Sequence, residues 1–144
     1  MAVFTEEEQQ QIQKAVTAAE KNTSGEIRVC MEKTCSDEAL DRAVKYFTRL
    51  EMHKTKLRNG VLIYVATVDR KFAIIGDAGI NSVVPETFWD STKEEMLSHF
   101  KYGNLLEGII AGVTQAGQQL KKHFPYLMDD QNELPDDIAF MDGH

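Results

Sequence analysis

Residues 60–67 read Gly-Val-Leu-Ile-Tyr-Val-Ala-Thr, an almost unbroken apolar run. A strand of this kind has no face to give to water, so it reads as the centre of a sheet that is covered on both sides. That requirement already demands at least three layers. The next residues set the direction. Val68-Asp69-Arg70 supplies a turn, and residues 71–76 return as an antiparallel partner with Phe72, Ile74 and Ile75 expected inside.

The flanking segments supply the covering layers. Residues 5–21 read as a helix with a capping box between Thr5 and Glu8 and an apolar stripe of Ile12, Ala15, Val16 and Ala19. Asn22-Thr23-Ser24-Gly25 breaks it. Residues 26–32 alternate, with Ile27, Val29 and Met31 on one side and Glu26, Arg28 and Cys30 on the other, a half-buried strand towards the side of the sheet. Ser36 is the expected cap of a second helix, whose buried face is Leu40, Ala43, Val44, Phe47 and Leu50. Residues 77–84 read as a loop. Pro85 opens a third helix carrying Phe88, Trp89, Met96, Leu97 and Phe100, with Phe88 and Trp89 as core anchors. Asn104 caps a fourth helix on Leu105, Ile109, Val113, Ala116 and Leu120, and Pro125 lies past its end.

The order is therefore α-β-α-β-β-α-α. It predicts an α/β layered domain over residues 1–124, with a small mixed sheet and helices on both faces. A strand–helix–strand crossover makes the first two strands parallel. Residues 125–144 are acidic and proline-interrupted and read as a tail, ordered at most in part.

Composition narrows the function classes. Net charge is −7, which argues against a nucleic-acid surface and against an anionic membrane. The start, Met-Ala-Val-Phe-Thr-Glu-Glu-Glu, lacks the features of a signal peptide, and no apolar run spans a bilayer, so the expectation is a cytoplasmic monomer without membrane insertion. Cys30 and Cys35 are neither a redox pair nor half of a zinc site and read as buried thiols.

Parallel pairing has a chemical consequence. It puts Glu26, at the start of the first strand, beside Asn59, at the start of the second. The hairpin returns Asp77 to the same edge. Two carboxylates and an amide, with loop carbonyls around Gly79, are hard oxygen donors of the kind that Ca2+ or Mg2+ prefers. Gly76 and Gly79 let backbone approach closely. The competing reading is that Glu26 caps backbone groups and Asp77 shapes a turn. The edge also lies at the N-terminal ends of the parallel strands, where α/β ligands are seldom found.

Elsewhere the charged and polar residues have ordinary structural roles. Asp69-Arg70 reads as a turn with an exposed charge rather than an acid–base pair. His53 sits in a basic loop and reads as solvated. Asp129-Asp130 and Asp136-Asp137 lack EF-hand spacing and read as a solvated run. There is no phosphate-cradling or nucleophile-elbow motif.

Ser24-Gly25-Glu26-Ile27-Arg28-Val29, Arg58-Asn59-Gly60-Val61-Leu62-Ile63, Asp69-Arg70-Lys71 and Gly76-Asp77-Ala78-Gly79 together resemble the successive signatures of the TPM domain, more weakly continued by Tyr102-Gly103-Asn104 and Glu107-Gly108. The resemblance covers about residues 5–122. It implies a three-layer α/β/α sandwich. Relatives of that type include a thylakoid acid phosphatase linked to photosystem II repair and a membrane-anchored receptor regulator, and divalent-metal binding recurs among them. For this chain the resemblance implies a soluble, stand-alone, bacterial-type member. The expectation is a divalent cation (Ca2+ or Mg2+) held by Glu26, Asn59, Asp77 and Gly79 in a structural or regulatory role, with an unidentified protein partner. The alternative is a weak metal-dependent phosphatase acting on phosphomonoesters.

Overall fold

A computed structural model describes residues 4–126 and 134–142. Its elements are α1 (Glu6–Glu20), β1 (Glu26–Glu32), α2 (Ala39–Arg49), β2 (Gly60–Ala66), β3 (Lys71–Gly76), α3 (Ala78–Asn81), α4 (Asp90–Phe100), α5 (Leu105–His123) and β4 (Ala139–Phe140). The fold is the expected α/β/α sandwich around a small mixed sheet, of strand order β3-β2-β1-β4. Every residue of β2 is buried, as its composition demands. β1 runs parallel to β2, with Glu26 opposite Gly60 and Glu32 opposite Ala66. β3 runs antiparallel to β2, with Val61 opposite Gly76.

Alternation along the strands divides the interior into two cores. Ile27, Val29, Met31, Val61, Ile63, Val65 and Ile74 face the layer made by α1, α4 and α5. Cys30, Leu62, Tyr64, Ala66 and Ala73 face α2. Phe88 and Trp89 do serve the larger core, Trp89 fully and Phe88 in part. The Thr5–Glu8 capping box forms in both directions. Among the described residues no helix is long and apolar enough to cross a membrane.

Several local expectations are corrected. Ser36 does not cap α2. The helix starts after Glu38, with no side-chain cap, because the chain before it is held elsewhere: Lys71 Nζ donates to the carbonyls of Cys35 and Asp37. The buried face of α2 is Ala43, Tyr46 and Phe47, while Leu40 and Val44 are exposed. On this face the Tyr46 hydroxyl donates to a buried carboxylate, Glu32 Oε1, at 2.6 Å. Phe72 and Ile75 on β3 are half-buried, and Ala73 and Ile74 are the enclosed pair. Residues 77–84 contain the short helix α3. The helix expected to open at Pro85 is α4, which begins only at Asp90, after a turn at Pro85. Asn104 stands at the start of α5 without a side-chain cap.

The largest addition is β4. It pairs parallel to β1, Cys30 opposite Ala139 and Met31 opposite Phe140. β1 is therefore an inner strand, buried at all but one position. The segment 134–142 lies along the sheet edge, with Leu134, Ile138 and Ala139 buried. It is held at several points: Met141 N donates to Met31 O, and Lys33 N donates to Asp142 Oδ2 at 2.7 Å. Asp129 and Asp130 lie outside the described residues.

Candidate functional site

The backbones of the expected site residues meet at one sheet edge. Glu26 N donates to Asn59 O at 3.3 Å, Asp77 N to Gly60 O at 2.9 Å, and Gly79 N to Arg58 O at 2.8 Å. Their side chains have different neighbours.

Asp77 is only 6 % exposed and caps α3, its Oδ1 accepting from Ala78 N at 2.7 Å. The same carboxylate is gripped by the Arg58 guanidinium in a two-pronged pair, Nε to Oδ2 at 2.7 Å and Nη2 to Oδ1 at 2.9 Å. That fork geometry is the strongest form of carboxylate recognition available to a side chain. Arg58 is half-exposed and its backbone is left-handed, φ 52°. A bulky residue held there carries strain of order 1 kcal/mol or more, which the surrounding contacts must over-determine. Gly79 is one such contact. A Cβ on it would lie 2.2 Å from Leu57 O and 2.6 Å from Arg58 O, so only glycine lets α3 seat against this loop.

Asn59 is 1 % exposed. Its Nδ2 donates to Ser24 Oγ at 3.4 Å, and its Oδ1 is buried with no hydrogen-bond partner among the described residues. Such an acceptor costs about 1–3 kcal/mol if it stays unsatisfied. Thr23, two residues before Gly25, braces the neighbouring loop by accepting from Gly25 N at 3.0 Å and donating to Phe124 O.

Glu26 is also buried, 4 % exposed, but its Oε1 accepts from Leu134 N at 3.0 Å. Gly60 lies between Glu26 and Asp77 across the sheet, and Met52 and Leu134 approach the space above it. The two carboxylates thus anchor different segments, Asp77 the 58–59 loop and Glu26 the 134–142 strap. Among the described residues no group of three or more His, Cys, Asp or Glu is disposed to hold a metal ion. A site here therefore relies on amide and carbonyl oxygens as well.

Glu26 also belongs to an acidic neighbourhood that the sequence did not announce. Glu20 accepts from Ile27 N at 2.8 Å, and Thr17 Oγ1 donates to Asp136 Oδ2 at 2.8 Å. Burial pushes the Glu20 carboxyl up to about 10, helped by its hydrogen bond to Asp136 and by the charges of Glu26 and Asp136, against the Ile27 bond. Glu20 thus holds its proton more tightly than a free carboxyl does, because it is buried beside the acidic strap. An acid with a raised folded pKa contributes stability that is complete below about 4.5 and is lost as pH rises towards about 10. Gln at this position keeps both the donor and the acceptor without a titrating proton. Glu20→Gln is expected to flatten the fall in thermal midpoint between neutral and alkaline pH and to be the more stable protein at the alkaline end. Melting curves across that range check it; parallel wild-type and variant profiles would refute it.

The opposite edge holds a network absent from the sequence reading. Glu32, at the end of β1, is 5 % exposed. It accepts from Tyr46 Oη at 2.6 Å, from Tyr64 Oη and from Arg42 Nε at 2.9 Å. Burial pushes its carboxyl up, but the bonds from the two tyrosines and Arg42, with the Arg42 charge, outweigh that and hold it below its usual value. Burial and the bond to Glu32 raise Tyr46 to about 12. The pattern signal was parity: Glu32 shares its face with Cys30, and that face packs on Tyr64. Asp69 accepts from Cys35 N at 2.7 Å and so braces the 33–38 loop, while Arg70 takes the left-handed turn position, φ 55°. Cys30 and Cys35 are free and buried; burial pushes the Cys30 thiol up to about 12.

The sequence matches the TPM domain family over residues 1–119. The solution structure of the BA42 protein from the psychrophilic bacterium Bizionia argentinensis is 49% identical, with a TM-score of 0.91 over 96% of both chains. The N-terminal domain of a protein from P. gingivalis has a TM-score of 0.69 at 19% identity, covering 85% of this chain and 80% of that one. An N-terminal domain from Corynebacterium glutamicum has a TM-score of 0.65 at 12% identity, over 81% and 73%. The last two likenesses speak for the fold alone. Among curated proteins none is similar.

Proposed function

The chain belongs to the TPM domain family, and we propose that it binds one divalent cation, Ca2+ or Mg2+, at the strand edge, where the ion has a structural or regulatory role. The observation that supports this reading is Asn59 Oδ1, a hard oxygen buried with no partner among the described residues, at the convergence of three strand ends. Asp77 would supply carboxylate oxygen, and the backbone around Gly79 carbonyl oxygen. Glu26, buried on the neighbouring strand, adds negative charge. A cation so held would tie loop 22–26 to loop 77–84 and present them as one surface to a protein partner. The rest of the reading is a monomer working in the cytoplasm.

Arg58 is the internal competitor. Its guanidinium neutralises Asp77 from a half-exposed position, and the ion must share or displace it. Hydrolysis of a phosphomonoester is the second reading, favoured by that same guanidinium: a cation beside a metal-binding carboxylate can hold a phosphate oxygen while the ion polarises the ester.

The test is a titration with CaCl2 and MgCl2, followed by thermal midpoint and amide chemical shifts. A native-state ligand stabilises by RT ln(1 + [L]/Kd), about 2.7 kcal/mol at a hundredfold excess over Kd. Saturable shifts confined to the strand edge are expected. Asn59→Ala and Asp77→Ala should abolish most of the response. Arg58→Gln should strengthen it by removing the competitor. Asp129→Ala, in the acidic segment, should leave it unchanged. No saturable change in either readout would end the cation reading. Turnover of a generic phosphomonoester that needs the ion and vanishes in Asp77→Ala would promote the second.

A further inference from the structure

A concavity lies at the other end of the sheet, at the carboxyl end of β2 and the β2–β3 turn; open α/β folds most often take ligands at the carboxyl ends of their strands. It has a volume of about 520 Å³, within the roughly 300–1,000 Å³ usual for small-molecule sites. Its walls are apolar: Phe72 from β3, Leu97 and Phe100 from α4, and Leu105 from α5. Phe72 and Phe100 meet edge to face with ring centroids 5.1 Å apart. Phe100 is seated in the notch left by Gly108, where a Cβ would come within 2.3 Å of its ring. The floor is thus pre-formed rather than a gap between mobile side chains.

The polar part of the lining is of one sign. It contains Arg70, Lys71 and Lys101 and, among the described residues, no Asp or Glu, in a chain whose net charge is −7. Lys71 spends its ammonium on two backbone carbonyls. Arg70 and Lys101 are exposed, and among the described residues neither has an ion-pair partner. Two uncommitted cations over an aromatic floor are complementary to a negative head joined to an apolar body. The overall negative charge disfavours an anionic bilayer as the source of that head, which leaves a free small molecule.

We propose that this cleft binds a small organic anion, a carboxylate carried on an aliphatic or aromatic body, with Arg70 and Lys101 at the head and Phe72, Phe100, Leu97 and Leu105 around the body. Arg70 is the better head-group ligand, because its planar fork matches a carboxylate in two bonds. Its left-handed position on the β2–β3 turn sets it at the lip. The site lies across the sheet from Asp77 and stands independently of any cation there.

Decanoate is the probe, with decanol and decylamine as neutral and cationic molecules of the same body. Binding is read by calorimetry and by methyl and amide shifts in the full chain. Decanoate should bind with shifts at Val65, Leu97 and Leu105, and the other two should bind at least about tenfold more weakly, the factor that corresponds to about 1.4 kcal/mol. Arg70→Glu and Lys101→Glu should each weaken decanoate by a similar factor while retaining the wild-type melting midpoint. Lys122→Glu, the same charge change away from the cleft, should not. Any of three outcomes overturns the proposal: no saturable binding of decanoate, equal binding of all three probes, or unchanged affinity in both cleft variants. Shifts that map to the strand edge around Asp77 would overturn it as well.

Discussion

Gly79→Ala is expected to lower the thermal midpoint by about 10 °C. The sign is the informative part. Gly79 lies within α3, and on helix propensity alone alanine there should stabilise by about 1 kcal/mol. The added methyl instead meets the carbonyls of Leu57 and Arg58 at 2.2 and 2.6 Å. These are backbone atoms, fixed by the left-handed Arg58 and by the Gly79 N–H bond to Arg58 O, so they cannot swing aside. Forcing such a contact costs about 3 kcal/mol, and a domain of this size loses roughly 3 °C per kcal/mol. The loss should reach the site as well. If α3 lifts from the 57–59 loop, Asp77 loses its register with Arg58, and Asn59 moves with its neighbour. Amide shifts at Asn59 and Ser24 should therefore change together with the midpoint. A variant that melts at or above the wild type would show that the close approach of α3 to this loop is not what holds the edge in place.

The α/β/α fold was legible because its strongest signal was compositional. A run as apolar as residues 60–66 admits only a two-sided cover, and the turn at residues 67–70 leaves only an antiparallel return. β4 was hidden by its surroundings. Leu134, Ile138 and Ala139 are the buried residues of a segment otherwise acidic and proline-broken, and two paired residues carry no periodicity. Once β4 is present β1 becomes an inner strand, and the side of β1 expected to face water is covered by α2, which packs on Cys30 and Glu32. The stripe on α2 failed for another reason. Leu40 and Val44 fit the helical spacing well, but Tyr46 is buried with Ala43 and Phe47 and its hydroxyl bonds a buried carboxylate, a partnership that spacing does not reveal.

At the candidate site, topology was readable and side-chain partnership was not. Parallel pairing and the hairpin do bring Glu26, Asn59 and Asp77 to one edge. Nothing in their spacing tells that Asp77 meets Arg58, because the meeting depends on a left-handed residue at 58. Nor does it tell that Glu26 serves the 134–142 strap, since that contact spans more than a hundred residues. The cleft at the opposite end was equally silent. Arg70 and Lys101 stand far apart in sequence, on the β2–β3 turn and at the C-terminal end of α4, and only the folded chain brings them to one cleft.

Glu32→Ala is expected to cost about 3–5 kcal/mol, the range for removing one partner from a buried charged network. Three donors lose their acceptor at once. Tyr64 is fully buried and Tyr46 nearly so, and neither can turn its hydroxyl to water without disturbing the face that packs α2 on the sheet. Arg42 keeps a second partner in Asp37 and is the least affected. Glu32→Gln should fall in between, because the amide oxygen still accepts while the amide nitrogen now points at groups that were donors. The two variants also separate charge from shape through pH. A carboxyl held below its ordinary value contributes stability that is complete above about 4.5, the unfolded-state value, and is lost as pH falls through the lower folded value. The gap between wild type and Glu32→Gln should therefore be constant at neutral pH and close in acid. Denaturant titrations of the three proteins at neutral and acid pH provide the measurement. A gap that persists unchanged in acid would mean that the carboxylate's charge is not what the tyrosines and Arg42 recognise. A Glu32→Ala variant as stable as the wild type would remove the strut role altogether and leave a buried, ionised carboxylate at the carboxyl ends of β1 and β2 that the packing of α2 does not require.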